Sequence, residues 1–294
     1  MILSLFYSIA FFLQAVLTPG SNKIDGKHIK TIHTKIKRIA YIDSTICECS
    51  ALVKPDPDFD IYYTLNDSGC KPEVFAINEK GKLLDSKTIP NSLNKDWEEL
   101  VFYKDSLQNP HLVIGDMGNN RNRRRDLCLY NYDVTANATN KHTFSYEDQH
   151  QFPPVKDSLD FDCEAFFIRD SSYYFISKNR GTGPVKLYQL SQDTTAHQAK
   201  IIQQMYFKGM VTGCSIFKDA TGNEKIAVIL YGRIFLFHIT DSDEGIQFVP
   251  YSVVKFPGSG QSEGICWFNE YELRVTNERG KLFKIVLKNN VAEI

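Results

Sequence analysis

Short runs of apolar, β-branched and aromatic residues, bounded by Gly, Asn, Asp or Pro, recur along the chain after about residue 45 and predict β-strands. The runs come in ordered sets. Each set opens on a polar or acidic residue, then a small residue, then a hydrophobic strand. The five openings are Glu48-Cys49-Ser50-Ala51-Leu52, Asp96-Trp97-Glu98-Glu99-Leu100, Asp162-Cys163-Glu164-Ala165-Phe166, Thr212-Gly213-Cys214-Ser215-Ile216 and Gln261-Ser262-Glu263-Gly264-Ile265. Aligning Ser50, Glu98, Glu164, Cys214 and Glu263 gives steps of 48, 66, 50 and 49 residues. A second strand follows each opening at 61–65, 111–115, 173–177, 226–230 and 272–276. A third follows at 73–77, 127–131, 185–189, 234–238 and 281–285.

Three clear strands and a weaker fourth in about fifty residues is the pattern of a propeller blade. The chain is expected to be all-β, a β-propeller with five blades. Six blades is the alternative, with the amino-terminal region supplying more than one strand. The long step is assigned to polar insertions at 119–126 and 133–141. The last set stops one strand short. Residues 29–42, rich in strand formers, are expected to supply that outer strand, so an N-terminal strand closes the ring and removes an exposed edge. Residues 21–294 then form a single domain. Residues 1–17 carry no charge and are almost wholly apolar, so 1–20 is expected to be a signal peptide, with an uncleaved anchor as the rival. That places the protein outside the cytoplasm: periplasmic, extracellular or envelope-associated, touching a membrane only through this segment if it is retained.

Composition narrows the partners. Lys plus Arg is 34 and Asp plus Glu is 35, a formal net charge of -1. A near-neutral chain has no global electrostatic reason to bind nucleic acid. The densest basic run, Arg121-Asn122-Arg123-Arg124-Arg125, lacks interleaved aromatics and reads as a solvated loop. A monomer is expected. Seven cysteines occur, an odd number with no Cys-x-x-Cys pair. Most sit inside strand-like runs and read as small buried hydrophobes, with cross-strand disulfides left open. No His-Glu-x-x-His, Gly-x-Ser-x-Gly, Walker or dinucleotide fingerprint is present.

The chemistry lies in the openings. Residues two apart share a strand face, and the innermost strand of each blade lines the axis. Glu48, Asp96, Glu98, Asp162, Glu164 and Glu263 are therefore expected to converge. Like charges at such range need a cation or raised pKa values. A hard cation with oxygen ligands, most simply calcium, answers the first need. Alternatively, the carboxylates accept hydrogen bonds from backbone amides of the next blade. The turns after the second strands carry Asp67, Asp116, Lys178, Arg180, Asn277 and Glu278. Asn, Asp and Gly suit tight turns, but loops at one stage of successive blades also converge on one face. These six are candidate contacts for a small polar or phosphorylated ligand.

Taken in order, Asn66-Asp67-Ser68-Gly69, Asp96-Trp97-Glu98, Ile114-Gly115-Asp116-Met117-Gly118-Asn119-Asn120 with Arg125, and Asp162-Cys163-Glu164-Ala165 resemble a group of exported bacterial β-propeller proteins described as phytase-like or esterase-like. Val211-Thr212-Gly213 and Ser262-Glu263-Gly264 are similar to its later blades. The resemblance covers about residues 45–285 and implies an exported or envelope-associated propeller with acidic residues around its channel. The leading expectation is a binding module with an acidic axial site for calcium and a small polar ligand. A second is a metal-assisted phosphoester hydrolase, in which Lys178 and Arg180 hold phosphate and Glu98 or Glu164 positions water. A structural or protein-interaction propeller is the third.

Overall fold

The amino-terminal segment of the computed structural model contributes three short strands, β1 (Ser21–Lys23), β2 (Lys30–His33) and β3 (Lys37–Tyr41). The structure describes residues 21–23, 29–34, 36–55, 58–193, 195–243 and 245–287. The expected signal or anchor segment, 1–20, lies outside them. Among the described residues no helix is long and apolar enough to cross a membrane. Five antiparallel meanders follow. The first blade holds β4 (Ile61–Leu65), β5 (Glu73–Asn78) and β6 (Leu83–Thr88). Its innermost stretch, 49–53, is joined to β4 only by single bridges, Cys49 to Asn66 and Val53 to Tyr63. The second blade is β7 (Trp97–Lys104), β8 (Pro110–Asp116), β9 (Cys128–Asp133) and β10 (Ala138–Thr143). After the short β11 (Ser145–Tyr146) and a single 3-10 turn (Lys156–Ser158), the third blade is β12 (Cys163–Arg169), β13 (Ser172–Ser177), β14 (Val185–Ser191) and β15 (Gln198–Tyr206). The fourth is β16 (Val211–Lys218), β17 (Glu224–Leu230), β18 (Arg233–Ser242) and β19 (Gly245–Lys255). The fifth is β20 (Ser262–Asn269), β21 (Glu272–Asn277), β22 (Lys281–Val286) and β3.

The ring closes as its strand pattern predicted, with Tyr41 opposite Lys281 and Ala40 opposite Leu282. The amino-terminal segment does more than this. Residues 29–42 form two strands, and only β3 completes the last blade. β2 adds in parallel to the outer edge of the fourth blade and β1 to that of the third. One segment thus runs along three consecutive outer edges.

Five apolar clusters fill the five blade interfaces. Phe167, Tyr174 and Ile176 meet Val228, Phe237 and Phe248 between the third and fourth blades. Ile42, Cys49, Tyr62 and Phe75 meet Cys266 and Leu282 between first and last. Each fully buried aromatic contributes roughly 1.5–3 kcal/mol, so adjacent blades are held face to face by packing. All seven cysteines are free thiols, and Cys49, Cys128, Cys163, Cys214 and Cys266 are buried as small hydrophobes. The long step has part of its expected origin, since the β8–β9 loop, 117–127, is longer than its counterparts in the other blades. Residues 133–141 are instead the turn and strand that complete the second blade, and the rest of the surplus is the 144–161 connection. It inserts Phe144, Tyr146 and Phe161 between the second and third blades.

Candidate axial acidic site

All five innermost strands start at one end of the axis. In four of them the ladder is interrupted at the same point. Trp97 pairs with Asp116 and Glu99 with Gly115, leaving Glu98 unpaired. Glu164 is passed over between Cys163 and Ala165, Thr212 between Val211 and Gly213, and Glu263 with Gly264 between Ser262 and Ile265. In the first blade Ser50 follows the Cys49–Asn66 bridge at the equivalent place. A bulge adds a residue and re-aims its side chain. The ring of equivalent positions is therefore Ser50, Glu98, Glu164, Thr212 and Glu263. The sequence alignment put Cys214 in that ring, and the structure corrects it by two residues. Cys214 lies farther along, its thiol 3.4 Å from the Phe166 carbonyl. Thr212 donates instead to the Ser262 carbonyl of the next blade at 2.6 Å. The small residue at the bulge is steric: a Cβ on Gly264 would collide with Thr276 Oγ1 and with the Ala51 backbone of the neighbouring first blade.

Two overlapping carboxylate groups result. Asp67, Asp96 and Glu98 form one, and Glu98, Asp162 and Glu164 the other; within each group the oxygens lie within 4.8 Å of one another. Neither contains a histidine or cysteine. Glu98, Asp162 and Glu164 are buried, and Asp67 and Asp96 half-buried. Burial, then the charges of Asp67, Asp162 and Asp96, push the Glu98 carboxyl well above the ordinary range. Burial, then Asp67 and Asp162, raise Asp96 to about 6. Burial also raises Asp67, opposed by the Ser68 amide and the Lys178 ammonium. Gly118 closes over this group: a Cβ there would strike Glu98 Oε1 and the Asp96 carboxylate.

The second group carries its own cations. Lys178 pairs with Glu164, and Arg180 with Asp162, reaching Glu164 Oε1 at 3.6 Å and also bonding Asn120. Asp162 in addition accepts the Asn119 amide of the preceding blade at 2.7 Å. Glu164 Oε2 is buried with no hydrogen-bond partner. Burial lowers the Lys178 pKa, and Asp162 is the leading group that opposes this.

Glu263 lies across the axis. Burial and then Glu278 push its carboxyl to about 8, with Lys178 opposing. Glu278 itself accepts a bond from Gln261 at 2.6 Å. Glu48 is exposed at the rim, raised by burial, then by Asp67 and Glu278. Two sequence candidates are committed to their own loops. Asp116, 1% exposed, holds Arg124 at 2.8 Å and accepts the Asp96 amide at 3.2 Å. Asn277 spans its turn, donating to the Ser259 carbonyl and accepting the Arg279 and Lys281 amides. One rim residue escaped sequence reasoning. Tyr231 sits beside Glu263, Glu278 and Arg180, its hydroxyl pushed to about 12 by burial and then Glu263. The signal was positional: Lys178, Tyr231 and Glu278 each follow the residue that opposes the start of a bulge.

Below the acidic groups Glu99 crosses the axis. Its Oε2 accepts the Cys214 amide at 3.2 Å and its Oε1 the Leu100 amide at 3.0 Å. Burial pushes this carboxyl well above the ordinary range.

No family model matches the chain, and no curated protein sequence matches it. Among solved structures it is similar to a streptogramin B lyase, at 10% identity and a TM-score of 0.44, covering 86% of this chain and 97% of that one. It is similar to a catalytically inactive virginiamycin B lyase from Staphylococcus aureus with quinupristin, at 11% identity and 0.39, covering 82% and 66%. It is also similar to U3-55K, at 11% identity and 0.41, covering 87% of this chain but only 65% of that one. These likenesses are at the level of fold. By its own strand order and ring closure, the chain is a five-bladed β-propeller.

Proposed function

We propose that the protein is an exported binding module that takes up calcium at Asp67, Asp96 and Glu98 and presents it, through Glu263, Glu278 and Tyr231, to a small polar ligand. A place among the phytase-like or esterase-like exported propellers is part of this reading. One observation carries it: of two carboxylate groups that share Glu98, one is ion-paired by Lys178 and Arg180, while Asp67, Asp96 and Glu98, opposed only at longer range by Lys178 and Arg124, have raised pKa values and, among the described residues, no salt bridge of their own. An all-oxygen donor set suits a hard cation. Glu164 Oε2, buried and unpartnered, adds unsatisfied acceptor capacity beside it. The binding reading is preferred to phosphoester hydrolysis because Lys178 and Arg180, the groups needed to hold phosphate, already pair with Glu164 and Asp162.

Thermal melting under a calcium titration tests this. A ligand at a hundred times its Kd stabilises by about 2.7 kcal/mol, roughly 4–5 °C for a chain of this size. Glu98→Gln should abolish that shift without lowering the midpoint in chelator. A wild-type midpoint indifferent to millimolar calcium at pH 8 would reject the cation site. Steady phosphate release from generic phosphoesters, lost in Glu164→Gln, would favour the hydrolase.

A further inference from the structure

Two of the seven thiols differ from the rest. Cys49, Cys128, Cys163, Cys214 and Cys266 are buried. Burial pushes four of these up to about 11 or 12 and Cys214 well above the ordinary range. A shielded, protonated thiol is a poor nucleophile. Cys47 is exposed and Cys70 half-buried, and they belong to segments that lie side by side. The Glu48 carbonyl accepts the Asp67 amide at 3.3 Å, and the Asn66 side chain accepts the Glu48 amide at 3.3 Å. Cys49 bridges Asn66 in the antiparallel sense. A turn at Ser68-Gly69, with Gly69 at a φ of +76°, then reverses the chain, and the ends of such a turn lie within about 7 Å of each other. Cys70 is thereby carried back to the Glu48–Asp67 contact, beside Cys47. After burial, Cys47 acts on the Cys70 thiol more than Glu48 or Asp67 does. Cys49 is committed elsewhere, its buried sulfur 2.8 Å from Thr64 Oγ1.

We propose that Cys47 and Cys70 are a reversible oxidation site, whose disulfide staples the start of the first blade's innermost strand to the turn that follows Asp67. That strand has the weakest hold of the five. It meets β4 only through the single bridges at Cys49 and Val53, where the other four innermost strands have ladders of five to seven residue pairs. The oxidant is a small disulfide donor such as oxidised glutathione. The Cys47 thiolate attacks one donor sulfur, the donor S–S bond breaks, and one donor thiolate leaves. The Cys70 thiolate then attacks the Cys47 sulfur and displaces the second. Two protein thiols are oxidised, the donor is reduced to two thiols, and the two protein protons end on them. None of this depends on a bound cation.

Peptide masses test the proposal after the full chain is equilibrated with oxidised and reduced glutathione in chelator, quenched in acid and cleaved after Glu and before Asp. Those cuts place Cys47, Cys49 and Cys70 in separate peptides. A linked Cys47–Cys70 pair is expected, two hydrogens lighter than the free peptides and absent from Cys70→Ser, while the five buried thiols are alkylated only in denaturant. Closing the 24-residue loop 47–70 should raise the wild-type melting midpoint by about 5 °C, and the same oxidant should not raise that of Cys70→Ser. Three results would each overturn it: Cys47 and Cys70 unlinked at every glutathione ratio, a Cys47–Cys49 link in their place, or an oxidised protein that melts no higher than the reduced one.

Discussion

Replacing Glu263 by Gln isolates the electrostatic cost of the axial charge. Gln is nearly isosteric with a protonated Glu but cannot ionise. Below about pH 4.5 the Glu263 carboxyl holds its proton in both folded and unfolded chains, so the wild-type and Glu263→Gln proteins should be equally stable. Between 4.5 and about 8 the unfolded chain gives up the proton while the fold retains it. The fold then binds more protons than the unfolded chain, so stability falls as pH rises. Above 8 the cost is fully present. A tenfold change in proton affinity is worth about 1.4 kcal/mol, which sets a ceiling of roughly 5 kcal/mol. Glu263 shares this with Glu278 and is relieved by Lys178, so about half, roughly 2–3 kcal/mol, is assigned to Glu263 alone. Urea unfolding of both proteins in chelator, at pH 4.5 and 8.5, measures it. The curves should coincide at pH 4.5, and Glu263→Gln should be more stable by about 2–3 kcal/mol at pH 8.5. Glu98 and Asp96 titrate in both proteins and cancel. Equal stabilities at pH 8.5, or the same offset at both pH values, would refute the charge-repulsion account.

Other perturbations address the packing that makes the site. Gly118→Ala places a methyl against Glu98 and Asp96; overpacking of this kind costs about 1–3 kcal/mol, and the variant should lose its calcium-dependent melting shift as well. Ala40→Pro removes an amide that the register directs to Leu282. An unmade buried hydrogen bond costs about 1–3 kcal/mol, so chemical unfolding should show that loss and limited proteolysis should open the last blade first.

The repeat was legible because each strand carries its own pattern. Glu98, Glu164 and Glu263 could be aligned from their surroundings, and the structure leaves them equivalent. Cys214 was misplaced because the fourth opening, Thr212-Gly213-Cys214-Ser215-Ile216, holds no carboxylate to align on, and only the ladder shows that Thr212 occupies the bulge. Asp116 and Asn277 read as ligands for the same reason that they read as turn residues: the residue type is shared, and only the partners, Arg124 and the Ser259 carbonyl, separate the roles. Tyr231 was missed because its hydroxyl matters only through Glu263 and Glu278, which are remote from it in sequence.

Strand composition, the spacing of the openings and the shortfall at the last set determined an all-β ring of five blades with its amino terminus folded into the last. These are local properties, set by side-chain period and chain length. Which carboxylates lack a salt bridge and which meet Lys178 or Arg180 was decided only by the tertiary structure, as were the belt along three outer edges and the approach of Cys70 to Cys47. Electrostatic balance at an axis depends on distances between different blades, and no single blade's sequence contains them.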